Sequence, residues 1–339
     1  DWIAVAAIVV VTIYFGFIAG VLLGVGVGVS LFLIDYSQVQ SVQYVINGRE
    51  TRSNVDRSKD KEQILYNEGT RITLAKLRGY LFFARSHQLV MQLMPTLTNT
   101  KAGGKSFVVI DFHGVSGIDS TAVMGFLQLY QVAERAGGEL VFSGLAAELR
   151  ADMARSRLSD SFIEYFDEQN QALAYCEDQL LKEYEISELP SNPVQQFLVE
   201  LGADELESEV NWQQIVQYMS LVETKRGENL ITAGEPADCV YIVEEGELSV
   251  STVSMDGRPF VLRVLEPGSV FGEMALYMDG VRTATVTANT DTKVNELPLE
   301  QLRLMEREHP ELAMSIHRYL ARLLSTKLRQ TNTLLGRYS

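Results

Sequence analysis

From Trp2 to Ile34 almost every position is apolar or small, with Thr12 and Ser30 the clearly polar exceptions. Such a run exceeds what a core helix needs and is long enough to cross about 30 Å of hydrocarbon once, with residues to spare. Gly16, Gly20, Gly24 and Gly28 recur at every fourth position, a smooth stripe against which another helix packs closely. Phe15-Gly16-Phe17 reads as a break between two spans. The pattern predicts one or more terminal transmembrane helices over 1–35. Arg49, Arg52, Arg57, Lys59 and Lys61 follow in a segment, 36–69, that reads as a linker. By the positive-inside rule this linker and everything after it face the cytoplasm.

Over 70–186 the pattern becomes that of an α/β unit. Ile72 to Leu77 alternates as a strand, Gly79 reads as a turn, and a helix is expected over about 86–97. Phe107-Val108-Val109-Ile110-Asp111-Phe112 is the short apolar run of a buried central strand. Asp119-Ser120-Thr121-Ala122 opens a helix that Gly137-Gly138 ends, with Asp119 or Ser120 capping its first amides. A strand over 140–143 and helices over 146–155 and 170–184 complete the alternation, which implies a sheet covered by helices.

Residues 187–209 are acidic and punctuated by Pro190 and Pro193, the texture of a linker. From 210 to 339 short alternating strands are separated by turns at Gly227, Gly234, Gly246, Gly257 and Gly268. Regular short strands of this kind predict a small β-barrel or sandwich. Helical periodicity returns after Leu299, with Leu312, Ile316, Leu320 and Leu324 on one face.

The candidate chemistry lies at Phe271-Gly272-Glu273-Met274-Ala275-Leu276, followed by Arg282-Thr283. Gly272 allows close backbone approach, and a short helix after it aims amides at an anion. Glu273 offers a carboxylate to a sugar hydroxyl, and Arg282 a planar fork to a phosphodiester oxygen. Composition narrows the alternatives. With 339 residues and a net charge of −15, the chain has no concentrated basic face for nucleic acid. Its four histidines show no metal-ligand spacing, and its two cysteines, Cys176 and Cys239, suggest a reducing compartment. No nucleophile stands beside a base, so an enzyme is not expected.

Two resemblances sharpen these readings. Leu77-Arg78-Gly79-Tyr80-Leu81-Phe82-Phe83, Val109-Ile110-Asp111-Phe112 and Asp119-Ser120-Thr121-Ala122 resemble a STAS domain. STAS domains follow the membrane region of SulP-family anion transporters and also occur as anti-anti-sigma factors. The apolar opening is similar to the last membrane helices of such a transporter. The resemblance implies a phosphosite at Thr121, with Ser120 beside it, although Ala122 stands where the motif usually has glycine. Residues 210–335 resemble a cyclic-nucleotide-binding domain of the catabolite-activator and cyclic-nucleotide-dependent kinase type. The match covers the glycine-turn ladder, Tyr241-Ile242-Val243, the 271–276 cassette, Arg282-Thr283-Ala284-Thr285-Val286 and the last helices. It implies that Arg282 pairs with the cyclic phosphate, that Glu273 takes the ribose 2′-hydroxyl, and that amides from Gly272 to Ala275 (with Met274 between) complete the anion site. Val250, Leu262 and Arg263 fall where relatives contact the base, and Thr283 where base choice between cyclic AMP and cyclic GMP is influenced. A lid residue is expected among Leu324, Leu328 and Leu334.

The fold expectation is therefore multidomain: transmembrane helices, an α/β STAS domain, then a jelly-roll-like β-barrel with flanking helices. The functional expectation is the regulatory portion of a SulP-like secondary anion transporter, of sulfate or bicarbonate type. Its expected partners are a lipid membrane, the transporter's membrane domain, a cyclic nucleotide and a second copy of the chain, but not nucleic acid. Cofactors are not expected. The alternative is a membrane-tethered cyclic-nucleotide receptor that signals through its STAS surface to a protein partner.

Overall fold

The computed structural model describes residues 2–37, 41–98, 104–155, 163–184, 212–253, 257, 259–277 and 280–338. The expected acidic linker over 187–209 lies outside them. The chain divides into two compact units, one of residues 1–51 and 70–172, the other of residues 52–69 and 173–339.

The apolar opening does not meet the expectation of a membrane span. It forms two helices, α1 (Trp2–Phe15) and α2 (Phe17–Ser37), separated at Gly16 with φ 87°. Only glycine adopts that left-handed backbone without strain, so the apolar run is cut in two. Among the described residues no helix is long and apolar enough to cross a membrane. The transmembrane part of the fold class and the membrane localisation fall with that finding. The glycine stripe has a local use instead. A β-carbon on Gly20 would collide with Thr12, and one on Gly24 would touch Ile8 at 3.5 Å, so α2 folds back along α1.

The first unit is built on a five-stranded sheet in the order β1-β3-β4-β5-β6. β3 (Ile72–Leu81), β4 (Phe107–Ile118), β5 (Glu139–Ser143) and β6 (Glu164–Phe166) run parallel, and β1 (Val42–Asn47) adds an antiparallel edge. α4 (Phe83–Thr98), α5 (Ser120–Ala136) and α6 (Ala147–Arg155) supply Leu89, Leu93, Phe126, Leu129 and Met153 to the core against the sheet. There Phe112, Phe126 and Phe142 meet edge to face with centroids 5.0–6.1 Å apart. Such pairs add about 0.5–1.5 kcal/mol each beyond their burial. Gly79, expected as a turn, is a bulge inside β3: its φ of 71° shifts the β3–β4 register and the strand continues to Leu81.

The second unit holds two antiparallel-rich sheets. One runs β2-β11-β10-β13-β8, the other β12-β9-β14-β7, where β2 is Val55–Asp56, β7 Ser220–Thr224, β8 Asn229–Ile231, β9 Cys239–Glu245, β10 Leu248–Val253, β11 Pro259–Leu265, β12 Val270–Phe271, β13 Thr285–Ala288 and β14 Thr292–Pro298. Ile231, Val243, Leu248, Leu265, Phe271, Val286 and Val294 form the core between them. A bridging helix (Leu299–Glu308) and a terminal helix (Pro310–Tyr338) bury Leu302, Met305, Leu312, Ile316 and Leu320 in a second cluster with Val240 and Ile242.

Within the segment 36–69, expected as a linker, the described residues 41–69 are structured. Besides β1 it carries β2 (Val55–Asp56) and α3 (Lys59–Glu68). β2 pairs in parallel with β11 (Pro259–Leu265), Val55 opposite Val264 and Asp56 opposite Leu265. Residues between the two stretches of the α/β unit thus extend a sheet of the β unit.

Candidate nucleotide-binding site

Two hairpin-like returns place the cassette. β12 (Val270–Phe271) pairs with β9 (Cys239–Glu245), so that Phe271 lies opposite Tyr241. Their rings stack at 5.2 Å and 17°. The chain then turns at Gly272 with φ 81° into the one-turn helix Met274–Tyr277. The segment carrying Arg282 is fixed to the turn at Gly234 by backbone bonds. Arg282 N donates to Glu235 O at 2.8 Å, Gly234 N to Arg282 O at 2.8 Å, and Ala237 N to Gly280 O at 2.9 Å. Val281 pairs with Pro236 in an isolated antiparallel bridge, which helps fix this segment.

Arg282 is 7% exposed. Its guanidinium lies 5.6 Å from the Tyr241 ring centroid, reaches Gly272 O at 3.4 Å, and meets Asp238 Oδ1 at 3.4 Å. The Asp238 side chain is 77% exposed, so this ion pair is long and solvated and holds the guanidinium weakly. Glu273 is 3% exposed, nine residues before Arg282 on the same wall. Its Oε1 accepts from Lys327 Nζ of the terminal helix at 3.0 Å, and the same ammonium donates to Val270 O at 3.0 Å.

Of the other predicted residues, Val250 on β10 (Leu248–Val253) is half-buried, opposite Val286 and Arg263. Arg263 pairs with Asp56 at 2.6 Å. Leu262 is 43% exposed on β11, and Thr283 is exposed beside Arg282. Met274 is exposed and Ala275 lies in the one-turn helix. Leu324 is half-buried and Leu328 exposed on the terminal helix, while the side chain of Leu334 lies outside the described residues. The structure thus gathers Gly272, Glu273 and Arg282, and links Arg263 to them through Asp56 and Lys327. Tyr277 joins the one-turn helix to the helices behind: its hydroxyl meets His317 Nδ1 at 2.9 Å, and His317 Nε2 meets Glu306 at 3.0 Å.

Asp56 and Lys327 were not legible in the sequence. Asp56 sits among mixed charges with no periodicity, and Lys327 stands 54 positions after Glu273. Two buried acids behind the site were also unmarked. Burial, then the Glu296 carboxylate that accepts from Sγ at 2.6 Å, pushes the Cys239 thiol far above the usual thiol range. Burial likewise raises the Tyr241 phenol.

In the α/β unit the loop with the expected phosphosite is a helix cap. Asp119 Oδ1 accepts from Ala122 N at 2.6 Å and from Thr121 Oγ1 at 2.7 Å. Ser120 and Thr121 are exposed, and Thr121 borders a cavity of 270 Å³ with His87 and Met124.

Comparison with known proteins agrees with this division. Residues 63–172 match the STAS domain family and residues 221–309 the cyclic nucleotide-binding domain family. The chain therefore carries a STAS domain and a cyclic nucleotide-binding domain, and the ligand class implied by the second is a cyclic nucleotide. Glutaminase 2 of Bradyrhizobium diazoefficiens is 27% identical over 295 residues, which cover 85% of this chain and 44% of that protein. The CRP-like cAMP-activated global transcriptional regulator of Mycobacterium tuberculosis is 30% identical over 122 residues, covering 36% of this chain and 53% of the regulator. The vacuolar basic amino acid transporter VSB1 of Saccharomyces cerevisiae is 26% identical over 193 residues, covering 54% of this chain and 18% of the transporter. The chain thus spans about half or less of the length of these relatives.

Proposed function

We propose that this chain is a non-catalytic regulatory module that binds a cyclic nucleotide in its β unit and passes the signal through its STAS domain to an effector. The observation that carries the reading is the meeting of Gly272, buried Glu273 and buried Arg282 on one wall. In this reading Arg282 pairs with the cyclic phosphate. Its resident partner, solvated Asp238 at 3.4 Å, is easily exchanged for a bidentate phosphate contact. Glu273 accepts the ribose 2′-hydroxyl, and Val250, Leu262, Arg263 and Thr283 line the side on which the base lies. The likeness to a glutaminase over most of this chain supports a module that recurs beside different activities. A second reading, regulation of a transporter, is favoured by the likeness to the yeast transporter over 193 residues.

Calorimetry on the full chain with cyclic AMP and cyclic GMP tests the binding. Heat of binding is expected with at least one of them, and Arg282→Ala should weaken it by roughly tenfold or more, the worth of one charge-assisted contact. Silence with both nucleotides at millimolar concentration would remove the reading.

A further inference from the structure

Four charged side chains of alternating sign run from the cassette to β11. Glu273 Oε1 is 3.0 Å from Lys327 Nζ, Lys327 Nζ is 3.9 Å from Asp56 Oδ2, and Asp56 Oδ1 is 2.6 Å from Arg263. The side chains are 4%, 18%, 20% and 24% exposed in that order, so burial deepens toward Glu273. Asp56 is held from its backbone side as well. Its carbonyl accepts from Ser269 Oγ at 3.3 Å, and Asn54 O accepts from Val264 N at 3.0 Å, within the β2–β11 pairing. We infer that Asp56 and Lys327 belong to the nucleotide site, and that binding is an exchange in which the ribose hydroxyl takes Glu273 from Lys327 while the ammonium passes to Asp56. This rests on the function proposed above.

The argument is one of satisfied charge. A carboxylate as buried as Glu273 is costly unless something donates to it. Lys327 fills that role until a sugar hydroxyl does. The hydroxyl is neutral, so it replaces one hydrogen bond and leaves a displaced ammonium behind. A stranded cation in a half-buried site would oppose binding. Asp56 removes that obstacle, since its free-standing distance of 3.9 Å from Nζ closes to hydrogen-bond length with a shift of about 1 Å. Arg263 orients Asp56 by its short contact. Lys327 belongs to the terminal helix, so the exchange changes a contact between that helix and the cassette. A ligand shifts a conformational equilibrium only by binding one state better, and the passage of Lys327 from Glu273 to Asp56 is such a difference.

Calorimetry on the full chain with the ribonucleotides and their 2′-deoxy counterparts tests this. Lys327→Met should tighten binding of the cyclic ribonucleotide by roughly tenfold, the value of one charged hydrogen bond no longer displaced. The 2′-deoxy nucleotide, which donates nothing to Glu273, should gain little. Asp56→Asn should weaken the ribonucleotide in the wild-type chain yet have little effect in the Lys327→Met chain. Misfolding cannot produce the tighter binding. A ribonucleotide affinity that is unchanged or weaker in Lys327→Met, or an equal gain by both sugars, overturns the exchange and leaves the proposed function standing. Absence of binding in every variant removes both.

Discussion

A β-carbon on Gly272 would lie 2.9 Å from a terminal guanidinium nitrogen of Arg282 and 3.1 Å from the carbonyl oxygen of Cys239. The glycine therefore does two jobs, since its φ of 81° is also left-handed. Gly272→Ala should destabilise the β unit by about 1–2 kcal/mol from backbone strain alone. Because Arg282 must also move, nucleotide affinity should fall by roughly tenfold or more, the scale of a lost charged contact. Urea melts and calorimetry read the two effects separately. Wild-type affinity in the variant would show that Arg282 has no role in binding.

Arg57 is the centre of a buried ionic junction. Its guanidinium meets Glu177 at 3.3 Å, Asp178 at 2.7 Å and Glu266 at 3.0 Å, with its own side chain 3% exposed. Glu177, equally buried, also accepts from Ser53 N at 2.9 Å and Ser53 Oγ at 2.5 Å. Arg57→Ala leaves the buried Glu177 carboxylate without a cation, and a loss of about 3–5 kcal/mol is expected from breaking one side of a buried pair. The check is a urea transition followed by circular dichroism, with the midpoint falling. A shift under 1 kcal/mol, on the order of a surface pair, would mean the junction is more solvated than its geometry indicates.

Cys239 gives a pH-dependent signature. Its thiol is raised in the folded chain by burial and by Glu296, so the folded state holds the proton more tightly than the unfolded one. The stability this contributes is complete below the ordinary thiol value of about 9 and is lost as pH climbs above it. Tyr241, raised for the same first reason, adds to the loss above about 10. Thermal melts from pH 7 to 11 should show the midpoint falling at the alkaline end, less steeply in Cys239→Ala. The folded thiol should also resist alkylation at pH 8 and react once the chain is unfolded, since the thiolate is the nucleophile.

How much of this could be read in advance depended on whether the signal was local. The Asp119 cap, the strand at Phe107 and the break at Gly16 are set by neighbouring residues, and the pattern located them. The cassette was found because Gly272, Glu273 and Arg282 lie within eleven consecutive positions of sequence. β2 is two residues long, too short for any alternation, and its partner lies some 200 positions away in β11. Lys327 reads as an ordinary helix-surface lysine until the terminal helix is folded onto the barrel. The apolar opening misled for a different reason. Its composition suits a bilayer, yet among the described residues no helix is long and apolar enough to cross one.

The parallel pairing of β2 with β11 has a topological consequence. Residues 52–69 and 173–339 make one unit, so residues 70–172 leave it and return to it as an excursion of the chain. Both ends of that excursion are anchored in the nucleotide unit, and Arg57 and Glu177, one from each anchor, are bonded to one another. A fragment beginning after the α/β unit would lack Asp56 and Arg57, and so a sheet strand and the centre of the junction.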